Sequence, residues 1–584
     1  MQAQAAVRVS PSGAGAPNIV DLPRVTGAQQ IDEIVARLRE GAGEFVKLSL
    51  DERIALARSM QEGYLRVAER SVAAACEARG LPLDMAGEQW ACGPNIVVRA
   101  LRLTIEALES LKRTGNTPIG KVGRTADERL AVRVFPANAI DGILFSGVTV
   151  DVHLADGIAE EDMHASRARF YKQPDHEGRV ALVLGAGNID AIVSFDVITK
   201  MFNEGKVCVV KMNPVNAFLG PYLEEAFAEA IDRSFLAVVY GGADEGSYLV
   251  HHREVDEVHL TGSDKTYEAI VWGPPGPERD ERMARGEPLV TKPVTAELGN
   301  VSPVIVAPGP YSRKELLYQA EDVAGALALA SSFCCCAAKV VITPEGWPQR
   351  EEFVEAIDNV LKHMPGRKAY YPGAVDRFHE YTAGRADLRL SGAEKGEVLP
   401  WAFAPGLDAD DASDTAFTRE SFCPVLFETA VGGTDVDEFL EKAVDFANER
   451  LWGTLTATLV VHPKLQKDPA LGAAVERAIG RLRYGTVAVN NYSAMSFAFA
   501  TPPWGGYPGA KPDDIQSGAG WVHNIAMLEG IEKAVMRHPL TAFPKPVYFP
   551  SHRTVTKLAR KLTALEEKAS WAKVPGTVAT AMRC

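Results

Sequence analysis

The spacing of apolar residues divides the chain into a helical stretch followed by strand-rich stretches. From Ile31 to Leu111 apolar residues recur every three or four positions, which predicts packed helices. Beyond Arg124 the period changes to two, and two strands of a hairpin are predicted in AVRVFP and ILFSGVTVDVHL. The pattern therefore predicts a helical layer that continues into a sheet.

The clearest supersecondary unit is a strand, a helix and a second strand of the parallel type. An apolar strand is predicted at Val180–Leu184, then a glycine-containing turn, a helix of about fourteen residues, and a second strand at Val207–Lys211. The alternation continues through LEEAFAEAIDRS, FLAVVY and VDEVHLTGS, which indicates a doubly wound α/β domain. A ligand is expected beyond the carboxyl ends of these strands.

A second α/β region follows the charged segment GPPGPERDERMARGEP, which is interpreted as a surface insertion. Ser312 and Glu315 have capping-box spacing, and apolar residues follow on one face, so a helix is expected to run as far as the cysteines at 334–336. A strand is predicted in KVVIT directly after them. The tail from Pro539 has basic helical character and no visible motif.

Composition and charge narrow the class of protein. The chain has 584 residues, which predicts several domains, and 46% hydrophobic with 24% charged residues is typical of globular proteins. A formal charge of −14 makes nucleic acid an unsuitable partner. No stretch has the length of a membrane span and no signal peptide is visible, so no membrane association and a cytoplasmic location are expected. The eight cysteines lack zinc-site spacing, which favours reduced thiols and no metal site.

Three short segments carry candidate chemistry. Gly185 and Gly187 follow a strand, but the third glycine of a dinucleotide fingerprint would fall at Asp190 and is missing, so a tight turn alone would explain them. Asn188 in that turn could donate a hydrogen bond to an oxyanion. A cysteine of the cluster could act as a nucleophile, and Glu297 could act as a general base beside it.

Together these segments resemble the aldehyde dehydrogenase superfamily, of which the chain is identified as a divergent member over roughly residues 31–528. The similar elements, in order, are GAGN at 185–188, KMNP at 211–214, HLTGS at 259–263, ELGNVSP at 297–303, SSFCCCAAK at 331–339, ESFCP at 420–424, and GTVAVNNY with PPWGGYPGA. The resemblance implies an α/β fold with a Rossmann-type cofactor domain, an α/β catalytic domain and a small oligomerisation hairpin.

The resemblance also implies a reaction and the residues that carry it. A cysteine would attack the aldehyde carbon, Asn188 and the cysteine backbone N–H would stabilise the oxyanion, and Glu297 would activate water to cleave the thioester. Anchoring the motif on Lys339 selects Cys334 as the nucleophile, whereas the string Cys-Cys-Cys-Ala of some relatives selects Cys335. We expect Cys335 to be the nucleophile.

The cofactor implied by the resemblance is NAD or NADP. Lys211 would hydrogen-bond the adenosine ribose, Gly262 and Ser263 would hold the pyrophosphate, Glu420 would bind the nicotinamide ribose, and Phe422 would pack nearby. Further cofactor-binding candidates from the same motifs are Asn213, Leu298 and Gly299. NAD-preferring relatives place a Glu three residues after the strand lysine, and here that position is Pro214, so NADP is expected to bind at least as well as NAD.

Some positions differ from the family pattern and leave alternatives open. Ser331-Ser332 or Ser332-Phe333 stands in place of Gly-Gln before the nucleophile, and Asn300 stands in place of a second glycine. One alternative is a CoA-acylating or phosphorylating relative, in which no activated water is needed. A second is a degenerate member that acts as a binding protein.

The expected domains follow from the same alignment of motifs. They are a flexible tail over 1–27, a cofactor domain over 28–127 and 157–295, an oligomerisation hairpin and arm over 128–156 and 484–530, a catalytic domain over 296–483, and a C-terminal extension over 531–584. The hairpin has more alternating apolar surface than an isolated hairpin keeps exposed, and relatives pair it with a neighbouring subunit. A homodimer or homotetramer that binds a small aldehyde is therefore expected.

Overall fold

The computed structural model describes residues 25–173, 175–433 and 435–584, so the predicted tail lies outside the described residues up to position 24. The α-helices, in chain order, are α1 (Ala28–Phe45), α2 (Leu50–Ala78), α3 (Gly87–Trp90), α4 (Ile96–Thr114), α5 (Ala139–Leu144), α6 (Glu160–Ser166), α7 (Arg169–Lys172), α8 (Ile192–Ile198), α9 (Gly220–Ala226), α10 (Ala228–Asp232), α11 (Ala243–His251), α12 (Asp264–Val271), α13 (Pro277–Arg285), α14 (Arg313–Ala328), α15 (Arg350–Lys362), α16 (Ala374–Thr382), α17 (Thr415–Thr418), α18 (Val436–Glu449), α19 (Pro463–Lys467), α20 (Pro469–Arg481), α21 (Ala494–Ala498), α22 (Val555–Glu567) and α23 (Val574–Ala581). Within the described residues, none of these helices combines the length and apolar character needed to cross a membrane.

The strands form two large sheets and one small ribbon. In chain order they are β1 (Val122–Arg124), β2 (Leu130–Phe135), β3 (Thr149–Leu154), β4 (Val180–Leu184), β5 (Val207–Lys211), β6 (Leu236–Val239), β7 (Glu257–Thr261), β8 (Val294–Glu297), β9 (Ser302–Val306), β10 (Ala338–Pro344), β11 (Arg367–Lys368), β12 (Arg389–Ser391), β13 (Val398–Leu399), β14 (Trp401–Leu407), β15 (Val425–Val431), β16 (Thr456–Val460), β17 (Thr486–Val489), β18 (Gly518–Ala519) and β19 (Ile531–Arg537). The mixed α/β class predicted from the sequence is confirmed.

The first sheet has six strands in the order β18-β8-β7-β4-β5-β6. Strands β4 and β5 pair in parallel, with Val180 opposite Val207 and Leu184 opposite Lys211, so both predicted strands are confirmed with their bounds. The helix between them, predicted at about fourteen residues, is the seven-residue α8 followed by a π-helical turn over Thr199–Asn203. Each residue of β4 and β5 is buried, which is typical of a parallel sheet covered on both faces. Their carboxyl ends share one edge of the sheet, where the turn at 185–188 lies.

The second sheet has eleven strands in the order β1-β2-β3-β19-β17-β16-β9-β10-β15-β14-β12. Strand β19 lies inside this sheet, parallel to β17 and antiparallel to β3. Residues 531–537, which the sequence placed in a C-terminal extension over 531–584, therefore pair within the large sheet. The other domain boundaries remain predictions.

The hairpin is covered by its own chain. Strands β2 and β3 pair as predicted, but helix α5 lies between them, where the sequence pattern had extended the second strand. Val132, Phe135, Val150 and Val152 are at most 1% exposed, in a cluster that also contains residues of β19. The apolar side chains of these two strands are thus buried within the same chain, contrary to the expectation that they remain available to a neighbouring subunit. The oligomeric state itself remains a prediction.

Two further differences concern helices. The predicted capping box is present, since Ser312 Oγ accepts a hydrogen bond from the Glu315 backbone N–H and the Glu315 side chain accepts one from Ser312. Helix α14 nevertheless ends at Ala328, six residues before the first of the three cysteines, because the next residues adopt a tight irregular turn. The proposed surface insertion contains α13, which buries none of its residues.

A buried ionic cluster holds the C-terminal helix α22 against α4 and α5. Glu566 accepts hydrogen bonds from Arg99 Nη1 at 2.8 Å and from Arg102 Nη2 at 2.6 Å, and Arg99 Nη2 also donates to Asp141 at 2.8 Å. All four side chains are at least nine-tenths buried. Removing one partner from such a cluster leaves an uncompensated buried charge.

We therefore predict that Glu566→Ala lowers the free energy of unfolding by about 3–5 kcal/mol. The matched control is Glu567→Ala, because the Glu567 side chain is 54% exposed and its removal should change stability by less than about 0.5 kcal/mol. Urea denaturation of both variants measures the difference. If both variants lowered the free energy of unfolding by the same small amount, the conclusion that the buried ionic cluster holds α22 in the fold would be wrong.

Candidate active site

A strained turn presents the three cysteines at the end of α14. Ala330, Ser331 and Ser332 have φ values of 52°, 56° and 71°, a left-handed run that L-residues adopt only where the surroundings impose it. The buried Lys339 ammonium donates to Ser332 Oγ at 2.7 Å and to the Cys423 carbonyl at 3.0 Å. The residues that replace the family's Gly-Gln thus take part in an internal brace of this turn.

The three thiols differ in exposure and in partners. Cys334 and Cys336 are 4% and 3% exposed, and their sulfur atoms lie 3.4 Å apart, whereas Cys335 is partly exposed. The Cys335 thiol donates to Glu297 Oε1 at 3.6 Å. The three sulfur atoms lie within 4.8 Å of one another, so the expected absence of a metal site remains a prediction.

Hydrogen bonds among the thiols shift the pKa values of Cys334 and Cys335 in opposite directions. Contacts with Cys335 and then Cys336 lower the pKa of Cys334, while contacts with Cys334 and then Cys336, followed by burial, raise the pKa of Cys335. The accessible thiol is therefore protonated at rest. It must lose its proton to a base before it can attack, and Glu297 is the carboxylate that accepts its hydrogen bond.

Glu297 lies at the carboxyl end of β8 and is 2% exposed. The indole N–H of Trp504 donates to Glu297 Oε1 at 2.7 Å, and Oε2 is buried without a hydrogen-bond partner among the described residues. Burial and then the charge of Asp196 raise the pKa of Glu297 to about 8, against the hydrogen bonds from Trp504 and Cys335. This value suits a base that operates near neutral to mildly alkaline pH.

Two cavities meet at this pair of side chains. One, the apolar cavity, has a volume of about 940 Å³ and is lined by the three cysteines together with Ile96, Ile189, Met495 and Phe497. The other, the polar cleft, has a volume of about 1040 Å³ and lies against the carboxyl ends of β4, β5 and β7. Among the described residues, Glu297 and Cys335 are the two that line both.

The polar cleft gathers most of the residues that the sequence predicted for a cofactor. Its lining includes Asn188, Lys211, Asn213, Gly262, Ser263, Gly299, Glu420 and Phe422. Leu298 lies outside that lining, 1% exposed, with its backbone N–H donated to the Ser517 carbonyl at 2.9 Å. Cys334 lines the apolar cavity but not the polar cleft.

Close packing at two glycines shapes the cleft. A Cβ on Gly187 would lie 2.7 Å from Asn213 Oδ1, so the turn after β4 can lie directly against the turn after β5. A Cβ on Gly299 would collide with the Glu420 carboxylate. Residues 187 and 299 must therefore lack a side chain, because any larger residue would displace Asn213 or Glu420.

Charged and polar groups of the cleft fit a dinucleotide. Ser263 caps α12 by accepting the Thr266 backbone N–H at 3.2 Å, which places a helix N-terminus at the cleft, where a phosphate group would be favoured. Burial lowers the pKa of Lys211 to about 8. Glu420 Oε1 is buried without a hydrogen-bond partner among the described residues, and burial raises its pKa to about 8. A ribose hydroxyl would supply the missing donor.

Asn300 explains one departure from the family pattern. Its side-chain N–H groups donate to Ser302 Oγ at 2.9 Å and to the Thr456 carbonyl at 2.8 Å, and it is completely buried. The amide thus ties the start of β9 to β16. These contacts give Asn300 a structural role.

Trp504 is a side chain of the candidate site that sequence reasoning missed. It stands in PPWGG, where the resemblance has Pro-Phe-Gly-Gly, so the signal was the exchange of a phenyl ring for a ring with a hydrogen-bond donor. The motif was used for alignment alone. Nothing in the spacing showed that this indole reaches a carboxylate more than two hundred positions away.

Comparisons with known proteins assign the family. The model of the aldehyde dehydrogenase family matches residues 180–521, which is more than half of the chain. The chain belongs to the aldehyde dehydrogenase family. Its membership makes it an oxidoreductase that acts on aldehydes with a nicotinamide cofactor, and it confirms the resemblance found in the motifs.

Individual relatives are distant. Geranial dehydrogenase of Castellaniella defragrans is 26% identical over 447 residues, which is 70% of this chain and 86% of that protein. Aldehyde dehydrogenase family 2 member B4 of Arabidopsis thaliana, a mitochondrial protein, is 28% identical over 323 residues, 52% of this chain and 53% of that one. The chain thus spans about half the length of this second relative.

Solved structures share the fold. NADP-dependent glyceraldehyde-3-phosphate dehydrogenase from Bacillus halodurans C-125, complexed with NADP, has a TM-score of 0.59 at 17% identity, over 87% of this chain and 91% of that one. NAD-dependent aldehyde dehydrogenase from Sinorhizobium meliloti has a TM-score of 0.58 at 19% identity, over 88% and 87% of the two chains. At these identities the likeness concerns the fold.

The Trp504 contact generates a prediction about pH. Trp504→Phe removes a hydrogen bond that favours the ionised form of Glu297, so the pKa of Glu297 should rise further, by about 1–2 units for a bond to a charged group. The pH–rate profile should shift to higher pH by that amount. The matched control is Trp272→Phe, because Trp272 is also buried and donates its indole N–H at 2.9 Å, but to the Pro512 carbonyl. Equal profiles for the two variants would show that Trp504 does not position Glu297.

Proposed function

We propose that the protein oxidises an aldehyde to the carboxylic acid through a thioester on Cys335, which is hydrolysed by water that Glu297 activates. The single observation that carries this proposal is the position of Cys335 and Glu297 where the apolar cavity and the polar cleft meet. An aldehyde in the first and a cofactor in the second would both reach the same sulfur atom. This arrangement is what a covalent oxidation requires.

The first step is addition of the thiolate. Glu297 accepts the thiol proton, the sulfur forms a bond with the aldehyde carbon, and the carbonyl oxygen becomes an oxyanion stabilised by Asn188 and the Cys335 backbone N–H. When bound, NAD or NADP accepts hydride from that carbon. The carbonyl bond then re-forms as a thioester.

The second step is hydrolysis. Glu297 first releases the thiol proton to solvent and then takes a proton from water, and the hydroxide adds to the thioester carbon. The carbon–sulfur bond breaks to give the acid and the Cys335 thiolate, and Glu297 returns its proton to the sulfur, which restores the resting thiol. The 3.6 Å contact between the thiol and Glu297 Oε1 supports water over CoA as the acceptor, since transfer to CoA does not need this carboxylate. It equally supports an active enzyme over a degenerate binding protein.

The residues proposed to hold the cofactor keep the roles that the resemblance implies. Lys211 would face the adenosine ribose, Gly262 and Ser263 the pyrophosphate, and Glu420 the nicotinamide ribose, with Phe422 packed nearby. The Asn213 side chain, in the turn after β5, packs against Gly187 in the turn after β4. The buried, unpartnered Oε1 of Glu420 supports this assignment because a ribose hydroxyl would satisfy it.

Glu297 gives the proposal a pH signature. Below its pKa of about 8 the carboxyl group is protonated and accepts no proton, so kcat should rise about tenfold per pH unit and level off above pH 8. Glu297→Gln should lower kcat by at least about 100-fold and abolish the rise. Steady-state rates measured between pH 6 and 10, in steps of about one pH unit, test both effects.

Another buried carboxyl group provides the control for this profile. Burial raises the pKa of Asp322 to about 7, but Asp322 contacts Tyr548 and not the thiols. The pH–rate profile of the Asp322→Asn variant should therefore keep an apparent pKa of about 8, the value for Glu297. A profile that disappears in this variant and persists in Glu297→Gln would refute the role given to Glu297.

Cofactor preference follows from Pro214. It begins the turn after Asn213 and brings no carboxylate to the cleft, so neither attraction for free ribose hydroxyls nor repulsion of a 2′-phosphate comes from this position. Lys211 adds a favourable charge below its pKa of about 8. We predict that NADP is used at least as well as NAD.

The test compares kcat/KM for both cofactors in the wild type and in Pro214→Glu. The new carboxylate should lower kcat/KM for NADP by about tenfold or more relative to NAD. Asp244 also lines the cleft, and Asp244→Asn is the matched control for an existing acid. A preference of the wild type for NAD of about 100-fold, or about 2.7 kcal/mol, would overturn the prediction, and loss of that preference in Asp244→Asn would identify the acid responsible.

A further inference from the structure

Residues 545–557, the C-terminal strap, lie beyond the part of the chain that the family model matches. Residues 547–557 of the strap line the apolar cavity, opposite residues of α3, α15 and the cysteine turn. The strap therefore supplies one side of the cavity whose other end is formed by Cys335. Its contacts show how firmly that side is held.

One end of the strap is seated on α14. The Tyr548 hydroxyl hydrogen-bonds Asp322 and also Asn491 Oδ1 at 2.8 Å. Glu321 accepts from Lys545 Nζ at 2.6 Å and from the Ser551 backbone N–H at 3.0 Å. The strap is thus fixed to the helix that leads to the nucleophile.

The absence of side chains at two glycines allows close approach of the strap. A Cβ on Gly325 of α14 would lie 2.8 Å from the Tyr548 carbonyl oxygen, and one on Gly87 of α3 would lie 2.5 Å from Val555 Cγ1. Thr556 Oγ1 also donates to the Asp84 carbonyl at 2.8 Å. The strap therefore bridges α14 and the segment around α3, on either side of the cavity.

The walls of the cavity are suited to an uncharged, apolar group. Ile96, Ile189, Met364, Met495 and Phe497 line it, and the exposed side chains of Met85 and Leu317 carry the apolar lining outward to solvent. Such a contiguous apolar lining favours apolar ligands.

Charged residues of the lining are mostly paired or exposed. Glu321 pairs with Lys545, and Arg367 pairs with Glu88 at 2.9 Å. Asp84, Arg553 and Lys557 are exposed. His552 is buried with a lowered pKa, caused first by desolvation, and adds no charge. Apart from Glu297, which the proposed function uses as the base, the lining offers a phosphorylated or ammonium-bearing aldehyde no buried, unpaired counter-charge among the described residues.

We propose that the C-terminal strap forms a wall of the aldehyde-binding cavity and restricts the substrates to aldehydes that carry a long or bulky apolar group. The inference rests on the proposed function, because the apolar cavity must hold the aldehyde. A volume of about 940 Å³ accommodates far more than a short aldehyde fills. Each buried methylene group should then improve binding in the transition state.

The first experiment compares substrates on the full-length enzyme. With decanal, propanal and glyceraldehyde as probes, kcat/KM for decanal should exceed that for propanal by about 100-fold or more, and glyceraldehyde should be the poorest. Equal values, or a preference for glyceraldehyde, would overturn the inference and leave the proposed function intact. Absence of turnover with every aldehyde, together with absence of a cysteine adduct, would instead refute the proposed function.

The second experiment changes the strap itself. Val547 is partly buried and lines the cavity, so Val547→Trp should lower the ratio of kcat/KM for decanal to that for propanal by about tenfold. The matched control is Phe543→Trp, because Phe543 precedes the strap, is 68% exposed and lies outside the lining. An unchanged ratio in Val547→Trp would contradict the proposal.

A milder variant keeps the test decisive if Val547→Trp does not fold, which its thermal unfolding will reveal. Val547→Ala removes volume from the wall and should raise kcat/KM for 2-naphthaldehyde, relative to propanal, by about threefold or more. No change in this ratio would show that the strap does not bound the substrate. A fall in the ratio would count against it as well.

Discussion

The Cys335 thiol and the Glu297 carboxylate lie in contact where the apolar cavity and the polar cleft meet. The carboxyl group is buried at the end of a strand of one sheet, and the thiol follows a strained turn that leads into a strand of the other. Burial raises the pKa of Glu297 to about 8, and Trp504 holds its Oε1 toward the sulfur atom. The proposed base and the proposed nucleophile, from two separate sheets, thus lie together where the two cavities meet.

Two segments near this contact have unusual local geometry. The left-handed run at 330–332 places buried polar groups that Lys339 satisfies, and the glycine at 299 exists so that Glu420 can approach. Such strain is stored where the surrounding contacts over-determine it. The same contacts explain why Ser332 and Asn300 can replace the family's residues without disturbing the pair.

Local patterns predicted the parts of the fold whose side-chain period is unambiguous. The strands Val180–Leu184 and Val207–Lys211 are continuous apolar runs, and their bounds were predicted correctly. The sequence did not predict that residues 531–537 lie inside the large sheet, because pairing between β19 and β3 joins residues nearly four hundred positions apart. The motifs named Cys335 and Glu297, but the hydrogen bond from Trp504 depends on tertiary packing that no spacing encodes. The strap at 545–557 carries no motif and acquires a place only through its contacts with α14 and α3.

Mapping the covalent intermediate tests the central claim most directly. The protein is mixed with decanal and an oxidised nicotinamide cofactor, quenched in acid, digested, and the cysteine-containing peptide is sequenced by mass spectrometry, with Cys334→Ser and Cys335→Ser variants in parallel. We expect an acyl adduct on Cys335 that persists in Cys334→Ser and is lost in Cys335→Ser. An adduct confined to Cys334, or full turnover by Cys335→Ser, would contradict it.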